Sequence, residues 1–164
     1  MKSFQEDMIE FKKQLDKGHI QIAYRSLIDY FGYLKSYFRN KYPEDIVSGS
    51  TYFGYMDMTY FPIITDKLKY KKLKIAVVFV YDDFRFEVWL SAVNKKVLTN
   101  YWKIIKDKKW DKYKIVKPGK GVDFILYHVL DNNPDFSDLN ALTKNIEKGT
   151  MTFITDVENF LSTH

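Results

Sequence analysis

The stretch LKIAVVFVYDDFRFEVWLS, residues 73–91, decides how this chain folds. Its first half, Leu73 to Tyr81, is apolar at nearly every position, the pattern of a central strand covered on both faces. Asp82-Asp83 then makes a tight turn, since aspartate readily supports one. Beyond it Phe84, Phe86, Val88 and Leu90 alternate with Arg85, Glu87, Trp89 and Ser91. A period of two sends one set to a core face and the other toward solvent or a cleft. The stretch is predicted to be a β-hairpin with the remaining elements laid against it.

Upstream, the residues point to helices. Ser3 and Glu6 have the spacing of a capping box. Phe4, Met8, Phe11 and Leu15 follow at helical intervals, and Gly18 is suited to end the helix near Lys17. A second helix is predicted from about Ile20 to Arg39, with Ile20, Ala23, Leu27, Tyr30 or Phe31, Leu34 and Phe38 along one stripe. The short link makes the two an αα-hairpin. Pro43 ends it, because the residue before proline avoids the helical region.

Ser48-Gly49-Ser50 signals a turn. TYFGYMDMTYF, residues 51–61, reads as one long strand closed by Pro62, with Gly54 at a bulge or a close backbone approach. Thr65 is a helix cap candidate before the hairpin. After it, Asn94 is placed to cap a helix carrying Val97, Leu98, Tyr101, Trp102 and Ile105. Lys106 to Trp110 reads as a charged loop and Tyr113 to Val116 as a short strand. Pro118-Gly119-Lys120-Gly121 is a turn. Val122 to Leu130 is compatible with either strand or helix. Leu139, Leu142, Ile146, Phe153, Val157 and Phe160 outline a C-terminal helix with Gly149 inside it. The expected fold is α+β, a single domain over residues 1–164. An antiparallel sheet built on the 73–91 hairpin is packed by the N-terminal αα-hairpin and the C-terminal helix.

Composition narrows function mainly by exclusion. The chain has no cysteine, so disulfides, zinc–thiolate sites and thiol nucleophiles are ruled out. The N-terminus MKSFQEDMIEFKKQ lacks the apolar core of a signal peptide, and no apolar run is long enough for a membrane span. The expected location is the cytoplasm. The net charge is +5. Only Arg25, Arg39 and Arg85 among the 26 basic residues are arginines, the side chain suited to bidentate phosphate and base recognition. The positive charge therefore says little about a nucleic-acid partner.

Three candidate sites stand out. Asp57, Arg85 and Glu87 place charges on neighbouring strands. Two carboxylates so placed suit a metal-dependent hydrolase, although Glu87 is followed by Val-Trp rather than by the x-Lys of the PD-x-(D/E)-x-K nucleases. On a sheet, such charges more often pair with one another. The second site is an aromatic face of Tyr52, Tyr55, Met56, Met58, Tyr60 and Trp89, suited to a small ligand or a protein partner. The third is residues 101–120, where Lys103, Lys106, Lys108, Lys109 and Lys112 interleave with Trp102 and Trp110. Bases or other anions could stack and pair there, while lysine stems can also simply cover apolar surface. His128 reads as a satisfied polar group. No motif for a metal, a nucleotide cofactor or a catalytic triad is present.

The strings GYMDMTYF, LKIAVVF and RFEVWL, with the later NPDF and LTKNIEKGT, resemble a family of small bacterial single-domain proteins that is a domain of unknown function. The likeness covers nearly the whole chain. It implies a bacterial cytosolic protein and supplies no catalytic residues and no cofactor. The leading expectation is a non-enzymatic module that binds a small ligand or a protein through Tyr52, Tyr55, Asp57, Arg85, Glu87 and Trp89. The alternatives are weak nucleic-acid or anion binding through residues 101–120, and metal-dependent hydrolysis at Asp57 and Glu87.

Overall fold

The structure is a computed structural model that describes residues 2–45, 47 and 49–164. The hairpin forms as its alternation predicts. Strands β2 (Leu73–Val80) and β3 (Arg85–Ala92) pair antiparallel, with Val80 opposite Arg85 and Ala76 opposite Trp89. The turn is tight, since the Phe84 N–H reaches the Tyr81 carbonyl across Asp82-Asp83 at 3.1 Å. Phe84 itself sits in the left-handed region at φ 50°, which takes it out of the alternation and exposes its ring.

Three more strands complete an antiparallel sheet of order β1-β2-β3-β5-β4: β1 (Met58–Ile63), β4 (Lys114–Ile115) and β5 (Leu126–Asp131). Residues 122–130, compatible with either element, are therefore extended from Leu126 onward. Phe61, Ile63, Ile75, Val77, Phe79, Phe86, Val88, Leu90 and Leu126 form one buried face. Full burial of each such side chain is worth roughly 1.5–3 kcal/mol, so this face is the main source of stability.

Two long helices cover that face. Helix α1 (Phe4–Asp16) is followed by α2 (His19–Lys41), which sets Phe31 and Phe38 against Phe61, with Phe31 also stacked on Phe86. A short helix α3 (Asp66–Tyr70) is capped by Thr65, and α4 (Lys95–Asp107) by Asn94. The C-terminal helix α5 (Leu139–Ser162) runs unbroken through Gly149. A side chain at that position would put its Cβ 2.6 Å from a Leu130 methyl, so the glycine lets α5 settle onto β5.

Helix α1 keeps its expected capping box, Ser3 to Glu6, yet none of its residues is buried. The αα-hairpin covers the sheet through α2 alone.

Two expectations are corrected. Residues 51–61 are not one strand, because the chain reverses at residues 54–57 and the strand begins at Met58. Gly54 holds φ 72°, and a Cβ there would meet the Met58 carbonyl oxygen at 2.1 Å. That reversal lays Tyr52 back along Tyr60, with backbone hydrogen bonds of 2.8 and 3.0 Å in the two directions. Pro62 does not close the strand; it pairs with Ala76 inside β1. Its missing N–H lies on the side away from β2, so no ladder bond is lost. The turn expected at Ser48-Gly49-Ser50 falls partly outside the described residues at Ser48, while Gly49 has the left-handed φ of 77°.

Candidate functional site

The sheet face turned away from α2 and α5 carries Met58, Tyr60 and Pro62 from β1 and Lys74, Ala76 and Val78 from β2. It adds Arg85, Glu87, Trp89 and Ser91 from β3. Two aromatic pairs stand on it. Tyr52 stacks on Tyr60 with ring centroids 5.0 Å apart, and Trp89 lies flat on Phe124 at 4.0 Å and 18°. The register explains the space left beside them: Pro62, Ala76 and Trp89 lie in one row across three strands, so small side chains form the floor next to the indole. The cleft is about 260 Å³ and is bordered by Tyr60, Trp89, Lys74, Ser91, Lys95 and Asp123.

Trp89 is held in place. Its indole N–H donates to Glu87 at 2.9 Å, and the other carboxylate oxygen of Glu87 accepts from Arg85 Nε at 2.9 Å. Arg85 also reaches Asn132 at 3.3 Å and Asp83 at 3.8 Å. Glu87 is 4% exposed, so both oxygens face partners rather than solvent. A buried carboxylate satisfied on both sides is a rigid bracket for the indole. At the rim, Lys95 pairs with Asp123 at 3.0 Å and Ser91 donates to the Asp123 carbonyl. Burial, and then the nearby Tyr52 and Asp123, push the Tyr60 hydroxyl above the usual phenol range, so it stays a neutral donor.

The residues read from the sequence divide. Trp89 lines the cleft, and Glu87 and Arg85, beside it on the same face of β3, hold its indole without lining the space. Tyr52 backs Tyr60 without lining the space. Tyr55 and Asp57 lie in the 54–57 turn, where Asp57 accepts the Tyr55 N–H at 2.8 Å. The backbone N–H groups of Tyr55 and then Met58 hold the Asp57 carboxyl below its ordinary range. Among the described residues no group of three His, Cys, Asp or Glu side chains is placed to hold a metal ion.

In the 101–120 segment, Trp110 lies face to face with Phe160 at 4.3 Å and edge-on to Tyr113. Lys112 pairs with Asp156 at 2.9 Å, and Lys106 sits over the Trp102 ring at 4.8 Å. Lys103, Lys108 and Lys109 are exposed on and just after α4.

Two features escaped the sequence reading. Ala76 lines the cleft, and Phe124 backs the Trp89 ring. Ala76 was reachable, because a tight turn at residues 82 and 83 places it opposite Trp89; Phe124 comes from a segment with no fixed element type. The second feature is a larger apolar trough of about 440 Å³ on the other side of the molecule. Ile20, Tyr24 and Leu27 of α2 line it, with Phe79, Phe84 and Phe136. No local pattern announces it, since its walls come from four distant stretches.

With that geometry established, the chain belongs to a family described as a domain of unknown function, DUF7000, whose model matches residues 4–161. No curated protein and no solved structure matches the chain. Among the described residues no helix is long and apolar enough to cross a membrane.

Proposed function

We propose that this protein is a binding module that takes a small, flat, ring-bearing ligand in the cleft between Tyr60 and Trp89. The observation that carries this reading is the pair of stacked aromatic couples beside a floor of Ala76 and Pro62, on the face that the two long helices leave free. A ring set on that floor meets π surface along its side. Lys74, at one border of the cleft, offers a cation to a polar or anionic substituent. Apolar walls with a few fixed polar groups are the usual make-up of a small-molecule site. The Glu87 bracket supports the reading further, because an indole already fixed in place loses little freedom when a ligand arrives. Binding is favoured over turnover because the acidic groups nearest the cleft are engaged: Glu87 by Arg85 and Trp89, Asp123 by Lys95.

The test is a library of heteroaromatic and aromatic-acid fragments followed by protein-observed NMR on the Trp89 indole N–H. At least one fragment is expected to shift that resonance together with those of Ala76 and Ser91. Trp89→Ala should weaken its binding roughly tenfold or more, as loss of an anchoring tryptophan does elsewhere. Equal affinity for the variant, or shifts confined to residues outside the cleft, would dismiss this site.

A further inference from the structure

Helix α1 presents Phe4, Met8, Phe11 and Leu15 along one stripe, and the first three are exposed, Phe4 by 81%. A capped helix of 13 residues is marginal in water unless a partner covers its apolar side. The same chain carries an uncovered trough. Its near end is formed by Phe11, Leu15, Ile20, Tyr24 and Met56, and its far end by Phe84, Phe136 and Leu139, with Ile20, Tyr24 and Met56 common to both. Ridge and trough thus form one continuous apolar surface.

We propose that this surface is a homodimer interface, in which the α1 stripe of each copy lies in the trough of the other. Three observations select a second copy as the occupant. The first is area. Phe4, Met8, Phe11, Met56, Phe84, Phe136 and Leu139 are about half exposed on average. At about 200 Å² per large side chain this makes roughly 700 Å² of apolar surface, close to the ~800 Å² per partner of a stable interface. A patch of that size is unusual on a protein that stays monomeric.

The second is charge. Next in the chain to Phe84, Phe136 and Leu139 of the far end stand the exposed Asp82, Asp83, Asp135 and Asp138, while Arg25 borders the near end. Helix α1 and its cap carry Lys12, Lys13 and Lys17 against the single acid Asp16 in the C-terminal half, and Glu6, Asp7 and Glu10 in the N-terminal half. An α1 laid with its C-terminal half at the far end matches opposite charges along its length.

The third is closure. A two-fold pair buries both ridges and both troughs at once, as an isologous contact requires. A small ligand in the trough would leave the ridge bare. An anionic lipid surface is disfavoured because α1 carries four acids, Glu6, Asp7, Glu10 and Asp16, against Lys12 and Lys13.

Sedimentation of the full chain at micromolar concentration is expected to give twice the 19.6 kDa chain mass. The double variant M8E/F11E, altered only at exposed positions, should sediment as a monomer that still unfolds cooperatively, with any loss of helix confined to α1 and a midpoint that no longer rises with protein concentration. The chain has no cysteine, so single cysteines report contacts cleanly. A mixture of F11C and F84C chains should oxidise to a mixed disulfide dimer. F11C mixed with Y70C, whose site is 90% exposed on α3, should not. A wild-type monomer, a dimer that survives M8E/F11E, or F11C–F84C cross-linking no stronger than the Y70C control would each overturn the proposal. So would a monomer that binds anionic vesicles through α1.

Discussion

Glu87 shows how one residue type can be read in two ways from sequence. A carboxylate alternating with hydrophobic residues, near another acid, has the pattern of acid–base chemistry. Its surroundings assign it a different job: it is 4% exposed and accepts hydrogen bonds from Arg85 and Trp89, its same-face neighbours two residues away on either side. Removing it strands two donors in a half-buried place, where an unmade bond costs about 1–3 kcal/mol. Glu87→Ala is therefore expected to lower stability in urea unfolding by about that amount and to weaken the near-UV dichroism of Trp89. Glu87→Gln keeps an acceptor for the indole and should cost less than Glu87→Ala. An Ala variant as stable as wild type, with an unchanged tryptophan spectrum, would show that the bracket is not what fixes the ring.

Elements were legible where a single periodicity runs uninterrupted. The 73–91 hairpin, the capped helices after Ser3, Thr65 and Asn94, and the C-terminal helix all follow from local pattern, because local backbone preference and burial agree there. The Thr51–Phe61 stretch fails for the opposite reason. Its ring-rich composition favours a strand, but Gly54 imposes a reversal that only the backbone geometry reveals. Arg85, Glu87 and Trp89 were legible as one face from strand alternation. The stacking of Trp89 on Phe124 was not legible, because Phe124 comes from a segment whose element type the sequence leaves open. The apolar trough was illegible because its walls lie more than a hundred residues apart.

Gly54 can be tested at this scale. A left-handed backbone costs a non-glycine residue roughly 1–2 kcal/mol, and the Cβ would also press on the Met58 carbonyl oxygen. Gly54→Ala is expected to lose at least ~2 kcal/mol, more than an ordinary surface substitution. The Tyr52–Tyr60 stack should loosen with it, seen as loss of ring-current shifts in the NMR spectrum. A stability change of under ~0.5 kcal/mol would mean that the turn rearranges freely.

At the scale of the molecule, α5 works as an acid-bearing strut. Glu147 accepts from Tyr37 at 2.6 Å and Tyr42 at 2.5 Å and pairs with Lys41 at 2.6 Å, which ties it to the end of α2. Asp156 accepts from Tyr113 at 2.5 Å and pairs with Lys112, which ties it to the segment before β4. Glu158 accepts from Thr65 at the start of α3. Burial alone would raise the carboxyls of Glu147 and Asp156, but their hydrogen-bonded partners outweigh it and hold both below the ordinary carboxylate range. A group with a lowered folded-state value stabilises the fold above its unfolded value, about 4 for these carboxyls, and that contribution disappears as the pH falls through the lower folded value. Stability should accordingly hold near neutrality and drop in acid, first where α5 meets α2 and β4. The double variant Glu147→Gln/Asp156→Asn should start less stable at pH 7 and lose less on acidification. Its urea-unfolding free energy should rise less steeply between pH 3 and pH 5, by up to about 1.4 kcal/mol per pH unit for each carboxyl removed. Parallel acid limbs for the two proteins would mean that the unfolded chain keeps the same contacts, or that α5 is not the part that acid releases.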